Sequence, residues 1–461
     1  MGALAGMLMD EGFVVTGSDA NVYPPMSTFL KEKGICVING YDAKNLAHNP
    51  DLVIIGNAIS KDNPEAVAVE RNGLCYCSFP QAMNRFFCDW RAPVLVTGTH
   101  GKTTTSALVA WILAAVGLDP SFMIGGILAN FKSNHKVGKG PHIVIEGDEY
   151  DTAFFDKRPK FVHYTPQHTI LTSVEFDHAD IYADFAAVKA AFSTLVQNLP
   201  EQSLLVACGD DPVVKDMAQK APCWVVTYGS SPENVWQLES YNTEPPWSHF
   251  SINLRGKHFA SFRTRLMGAY NLKNALAAIA VAHDMRIPEE GIAAALETFE
   301  GVARRQTVRG VVNRVTVMDD FAHHPTAVRE TIKGVRPFYS SGRIIAVFEP
   351  RTNTSRRNIF QNDYPNAFGQ ADMIIVAKPP LLEKIAPEQR FSSSKLVDDL
   401  KKQGKNAYYM EGADKIALFA ADAARPGDLI LVMSNGGFDN IHEKILTALE
   451  NRFNKGKGAQ G

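Results

Sequence analysis

Val94-Leu95-Val96-Thr97-Gly98-Thr99-His100-Gly101-Lys102-Thr103-Thr104-Thr105 joins an apolar run to a glycine-bounded turn and a helix start, with a lysine and a hydroxyl side by side. Such a turn reads as a phosphate cradle. Backbone N–H groups at a helix N-terminus surround anionic oxygens, the helix dipole favours their charge, a lysine reaches the β/γ-phosphates, and the adjacent hydroxyl ligates Mg²⁺. The common nucleotide loop carries about four residues between its glycines. Here Gly98 and Gly101 are separated by Thr99 and His100 alone. As a loop residue, Lys102 is expected at the surface, supporting no core.

Downstream, Pro141-His142-Ile143-Val144-Ile145-Glu146 and Thr169-Ile170-Leu171-Thr172-Ser173-Val174 have the continuous apolar pattern of buried parallel strands, each ending in polar residues. The first leads into Glu146-Gly147-Asp148-Glu149-Tyr150-Asp151. Carboxylates at a strand end beside a phosphate loop suit Mg²⁺, which takes oxygen ligands together with substrate phosphates. The second leads into Glu175-Phe176-Asp177-His178-Ala179-Asp180, where a histidine among carboxylates suits a second metal or a proton. Lys189 follows on an amphipathic helix. Asn271 and Asn274 open an Ala-rich helix on one face; their carboxamides match the edge of adenine, with plain N-capping by Asn271 as the rival.

On either side lie two further α/β units. Residues 1–90 alternate short β-rich runs, Phe13 to Asp19 and Asp51 to Asn57, with helical ones, and begin in what reads as the helix after a missing first strand and glycine-rich turn. The third unit opens near Arg309 with a strand-like run from Val311 to Asp320, continues through Ile344 to Phe348, Met373 to Val376 and Leu429 to Met433, and ends in a low-complexity tail from Asn454, expected to be disordered. Arg304-Arg305 precede it, and an arginine fork suits a transferring γ-phosphate. Asp319-Asp320-Phe321-Ala322-His323-His324-Pro325 can be imagined holding zinc. No thiolate stands nearby, and Phe321 and Pro325 restrict the geometry, so contact with nucleotide or substrate is preferred. Glu349-Pro350-Arg351-Thr352-Asn353-Thr354-Ser355-Arg356-Arg357 ends a strand with arginines suited to a substrate carboxylate.

At 461 residues, too many for one core, three domains are expected, at 1–90, 91–307 and 308–461. A formal net charge of −2 gives no field for nucleic acid. Cys36, Cys75, Cys77, Cys88, Cys208 and Cys223 include no CxxC pair and read as reduced thiols. No apolar run approaches a membrane span and no signal-peptide layout opens the chain, so a cytoplasmic protein is expected.

The Gly-Thr-His-Gly-Lys-Thr-Thr loop, Glu146 with its acids, Asp177-His178, Asn271 and Asn274, Arg305, and Asp320 with His323-His324-Pro325, in this order, resemble the ATP-dependent Mur ligases of bacterial cell-wall synthesis. The resemblance spans essentially the whole chain. It implies an α/β fold of three domains: a Rossmann-like one for a UDP-sugar, lacking its first strand here, a central P-loop-type ATPase, and a C-terminal Rossmann-like one for the amine. It also implies ATP contacts at Gly98, Thr99, His100, Gly101, Lys102, Thr103, Thr104, Asn271, Asn274, Arg305, Asp320 and His324. Mg²⁺ would lie on Thr103, Glu146, Glu149 and His178, and substrates on Ser18, Asp19, Asn57, Ser60, His323, Arg351 and Arg356. Lys102, His178, Arg305 and Lys189 are the catalytic candidates, Lys189 because it aligns roughly with a lysine carbamylated in sister enzymes.

Within the family, Gly17 to Thr28, Tyr150 to Arg158, the Glu349-Pro350-Arg351 run and Ser434 to Phe438 resemble the branch that attaches L-alanyl-γ-D-glutamyl-meso-diaminopimelate to UDP-N-acetylmuramate. The branch adding L-alanine would read Pro-His-Arg where Pro350-Arg351 stand. A monomer or weak dimer is expected. A nucleotide-dependent switch would leave the histidine and arginine segments of the last domain without work, and a folate-type polyglutamate ligase lacks a counterpart of residues 1–90.

Overall fold

Continuous apolar runs such as Val94-Leu95-Val96 and Ile143-Val144-Ile145 are stable as strands only if both faces are covered, and the structure covers them completely. The structure is a computed structural model describing residues 1–23 and 26–457. Its central sheet has ten strands. The parallel middle runs, in spatial order, Trp224–Gly229, Leu204–Cys208, His168–Leu171, Ala92–Thr97, His142–Gly147 and Ser121–Leu128. Three strands in antiparallel succession, Trp236–Glu244, Trp247–Leu254 and Lys257–Thr264, extend one edge, and Ser133–Lys136 closes the other. The helix Lys102–Ala115 packs on Ala269–Asp284; the small alanines along the second allow a close approach, and both are buried along most of their length.

The C-terminal sheet is ordered Thr307–Val312, Val315–Asp320, Leu429–Met433, Ile344–Phe348, Met373–Ala377 and Ala407–Met410. Its first pair is antiparallel and the rest parallel. The single run expected from Val311 to Asp320 is therefore a hairpin, because Asn313 and Arg314 take φ of 47° and 63° and reverse the chain. Core residues cover both sheet faces, with Met318, Phe348 and Leu431 on one and Val317, Val347 and Val432 on the other.

Near the N-terminus, Thr16–Asp19 pairs in parallel with Cys36–Asn39, and Val53–Ile55 with Tyr76–Ser78. The two ladders are separate, with no strand between them among the described residues. The chain starts in the helix Gly2–Asp10, whose Leu4, Met7 and Leu8 join Met83 and Phe87 in one core with the central sheet. Pro24 and Pro25, within the Gly17 to Thr28 segment, lie outside the described residues. The tail expected to be disordered from Asn454 is instead helical as far as Lys457, continuing Ile441–Lys457; 458–461 lie outside the described residues. Among the described residues no helix is long and apolar enough to cross a membrane.

Candidate active site

Parallel neighbours release their following loops at one edge, which is how distant segments of this sequence meet. Thr97 lies opposite Gly147 on one side and Leu171 on the other. The glycine turn, the acidic run and the Glu175 to Asp180 segment therefore leave the sheet side by side. Hydroxyls fix the turn: Thr172 Oγ1 donates to the His100 carbonyl at 2.5 Å, Thr99 Oγ1 accepts from Glu175 N–H at 2.8 Å, and Ser173 Oγ accepts from His100 N–H at 3.1 Å. Gly98 and Gly101 have φ of 129° and 83°. A Cβ on Gly98 would fall 2.1 Å from Thr172 Oγ1, so both backbone conformation and space require glycine.

Lys102 is not a surface lysine. It is 9% exposed, and Nζ donates to the Gly98 carbonyl and to Glu149 Oε2, each at 2.7 Å. The expectation failed because the helix begins directly at Lys102 and folds its side chain back under the turn. The other oxygen of Glu149 faces His178 Nε2 at 3.1 Å. Burial opposes charge on all three groups, yet the pairing wins. Lys102 is raised by the neighbouring carboxylates, Glu149 is lowered by Lys102 and His178, and His178 is raised chiefly by Glu149. Beside them, Thr103 Oγ1 donates to Glu146 Oε1 at 2.9 Å and Gly125 N–H to Oε2 at 2.7 Å. Burial and mutual repulsion push Glu146 up, and burial above all pushes up Asp148, 3.8 Å from Lys160 Nζ. A hydroxyl and a carboxylate in contact, desolvated and short of positive charge, are a donor set that fits Mg²⁺.

Asn271 and Asn274 are buried. Gly268, not Asn271, occupies the N-cap position, which removes the capping alternative. Asn271 Nδ2 donates to the Met267 carbonyl at 3.0 Å and Gln306 Oε1 at 3.2 Å, and Asn274 Oδ1 would lie 2.6 Å from a Cβ on Gly101. The pair therefore abuts the phosphate turn. Asp320 is buried, with Oδ2 accepting from Gln306 N–H at 2.9 Å and Oδ1 from Ala322 N–H at 2.8 Å. Of the paired arginines, Arg304 donates to the Ser434 and Gly436 carbonyls at 2.5 and 2.8 Å, while Arg305 lies over the Phe321 ring. His323 and His324 reach back to the central unit: His323 Nε2 is 3.6 Å from Asp177 Oδ2, and His324 Nε2 is 3.2 Å from the Phe176 carbonyl.

Other expected residues stand differently. Arg356 is buried and spends its guanidinium on protein oxygens, reaching Asn353 Oδ1 at 2.5 Å and the Pro380, Leu381 and Thr352 oxygens at 3.4 Å, so it braces its own segment rather than awaiting a carboxylate. Arg351 keeps a side chain 39% exposed beside Glu349. Lys189 is exposed, its ammonium over Phe185 of its own helix, as a solvated lysine would be. Ser18 donates to Glu65 Oε2 at 2.5 Å, Asp19 accepts from Asn21 N–H at 2.9 Å, and Asn57 and Ser60 are exposed at the facing strand end. The site-residue expectations lacked Asn353 and Thr354, which join the units: Asn353 Nδ2 donates to Asp180 Oδ2 at 2.8 Å and Thr354 Oγ1 accepts from Ala179 N–H at 3.2 Å. They also lacked Glu175, which gathers His100, His324 and Thr326. Only its place in the acidic segment hinted at this.

Known proteins match along the chain. The Mur ligase family catalytic domain matches residues 1–91, the Mur ligase middle domain 96–282, and the Mur ligase glutamate ligase domain 303–436. The chain is 40% identical over 451 residues to UDP-N-acetylmuramate–L-alanyl-gamma-D-glutamyl-meso-2,6-diaminoheptandioate ligase of Haemophilus influenzae, covering 98% of this chain and 97% of that protein. It is 34% identical over 448 residues to UDP-N-acetylmuramate–L-alanine ligase of Chelativorans sp., covering 95% and 93%. A solved murein peptide ligase from Psychrobacter arcticus 273-4 is similar at 33% identity with a TM-score of 0.69, over 98% of this chain and 96% of that one.

Proposed function

The chain belongs to the Mur ligase family, whose members are ATP-dependent amide ligases, and we propose that it joins L-alanyl-γ-D-glutamyl-meso-diaminopimelate to UDP-N-acetylmuramate at the expense of ATP, in peptidoglycan recycling. The observation that carries the reading is the bond from Ala179 N–H to Thr354 Oγ1, which sets the arginine-bearing segment one residue from His178. The segment that would receive the amine thus adjoins the cluster that would receive the phosphates. Higher identity to the peptide-adding relative than to the alanine-adding one supports the choice of amine.

A carboxylate is a poor acyl donor. Its oxygen attacks the γ-phosphorus of ATP, releasing ADP and leaving an acyl phosphate; the peptide's α-amine then attacks the carbonyl carbon, expels phosphate and loses a proton. The protein's contribution is placement and charge neutralisation. Lys102 uses two of its three N–H groups on Gly98 and Glu149, and the third remains for a phosphate oxygen. Thr103 and Glu146 would hold Mg²⁺, which when bound supplies positive charge against the phosphates. His178, raised by Glu149 despite its burial, would add positive charge beside them when protonated. Asn271 and Asn274 would take adenine, Arg305 would neutralise the transferring phosphoryl, and Arg351 would offer its guanidinium to a peptide carboxylate. Contacts from His323, His324, Asn353 and Thr354 bring the units together, which shields the acyl phosphate from water.

The test is turnover of UDP-N-acetylmuramate and ATP with either the tripeptide or free L-alanine. Tripeptide-dependent ADP release with little from alanine is expected, and Arg351→Ala should raise the tripeptide KM about tenfold or more. Turnover with alanine alone would overturn the peptide assignment.

A further inference from the structure

His100, Glu175 and His324 come from three separate segments, the phosphate turn, the loop after His168–Leu171 and the N-cap of Pro325–Val335, and their side chains converge on one point. His100 Nε2 is 3.2 Å and His324 Nδ1 3.5 Å from the same oxygen, Glu175 Oε2. Donors bound tetrahedrally at about 2.0–2.2 Å stand about 3.3–3.6 Å apart. We propose that these three side chains form a binding site for a first-row divalent ion of the zinc type, held between the central and C-terminal units and separate from the oxygen-donor site at Thr103 and Glu146.

The hydrogen bonds fix which ring nitrogen of His324 an ion would meet. His324 Nε2 lies 3.2 Å from the Phe176 carbonyl and must donate to it, so Nδ1 carries a lone pair. That lone pair accepts from Thr326 N–H at 3.2 Å as the cap of the helix and lies 3.5 Å from Glu175 Oε2, so a bound ion would take the place of the capping hydrogen bond. Donation of the second ring nitrogen to a backbone carbonyl is the support metal-bound imidazoles ordinarily receive. The groups are fixed in place. Thr99 holds the Glu175 backbone, Ser173 and Thr172 hold that of His100, and the Thr326 hydroxyl donates to Glu175 Oε2 at 2.8 Å. Phe360 covers His324 edge-on, with ring centroids 4.6 Å apart, while the Glu175 side chain is 36% exposed and leaves a side open for water as a fourth ligand. Two ligands lie on one unit and one on the other, so the ion would fasten the units beside the phosphate turn. The two aspartates preceding His323-His324 in sequence take no part.

The test uses full-length protein stripped with EDTA and returned to excess Mg²⁺, which occupies oxygen-donor sites, then titrated with Co²⁺. Intense visible absorption of four-coordinate cobalt at one equivalent, displaced by Zn²⁺, is expected. Glu175→Gln, which keeps size and the Thr326 bond, should weaken affinity about tenfold or more, as should His100→Gln, while Glu149→Gln leaves it unchanged. No such absorption in the unaltered protein overturns the proposal. So does equal affinity in whichever of the two ligand variants circular dichroism shows to be folded, or loss of binding in Glu149→Gln alone.

Discussion

Lys102 shows how one residue can serve ligand and fold together. Its ammonium joins Glu149 and, through that carboxylate, His178, inside a nearly dry cluster. Lys102→Ala should lower turnover about 100- to 1,000-fold. Because it leaves Glu149 buried without its main partner, it should also cost about 3–5 kcal/mol of stability, measured by urea unfolding; undiminished stability would show that the pair is dispensable to the fold. A purely structural ion pair sits at Asp428. Burial would raise its carboxyl, but Arg343 Nη2 at 2.6 Å and the Arg343 and Arg425 N–H groups hold it below the ordinary value. A carboxyl depressed on folding stabilises above its unfolded value, near 3.9, and that stability is lost as pH falls through the lower folded value. Asp428→Asn should therefore cost about 1.5–3 kcal/mol at neutral pH, and the gap from the unaltered protein should close in acid.

Among the elements, the phosphate turn is the most constrained. Gly98 combines φ of 129° with a Cβ position 2.9 Å from Ser173 N and 2.1 Å from Thr172 Oγ1. Gly98→Ala should lower Tm and weaken ATP binding at least tenfold by calorimetry; unchanged affinity would mean that the turn does not cradle phosphate. This element was legible beforehand, since apolar strand, glycines and helix start are consecutive. Buried strands were legible for the same reason, their apolar runs having no other stable home. The hairpin at Asn313-Arg314 was not, because a two-residue reversal inside a β-branched run leaves the apolar pattern almost intact.

At the scale of the molecule, the C-terminal unit meets the central one through side chains far apart in sequence. Asn353 and Asp180 should show a coupling of about 0.5–1.5 kcal/mol in a double-mutant cycle on kcat/KM with Asn353→Ala and Asp180→Ala. Additivity would place their contact outside the working conformation. Arg351 and Arg356 mark where reading the chain stops: both are arginines in one segment, yet one is half exposed and the other is consumed by Asn353 and main-chain carbonyls. Lys189 and Lys102 invert in the same way, the first exposed and the second enclosed. By itself the sequence determined the α/β class, the phosphate turn and the family, because periodicity and a glycine-lysine-threonine order are local and survive without coordinates. Only the tertiary structure decided which charges are paired and which are available, and that His100, Glu175 and His324 share one point. Burial and partnership depend on which strand ends lie side by side, and that is set by packing between segments up to hundreds of residues apart.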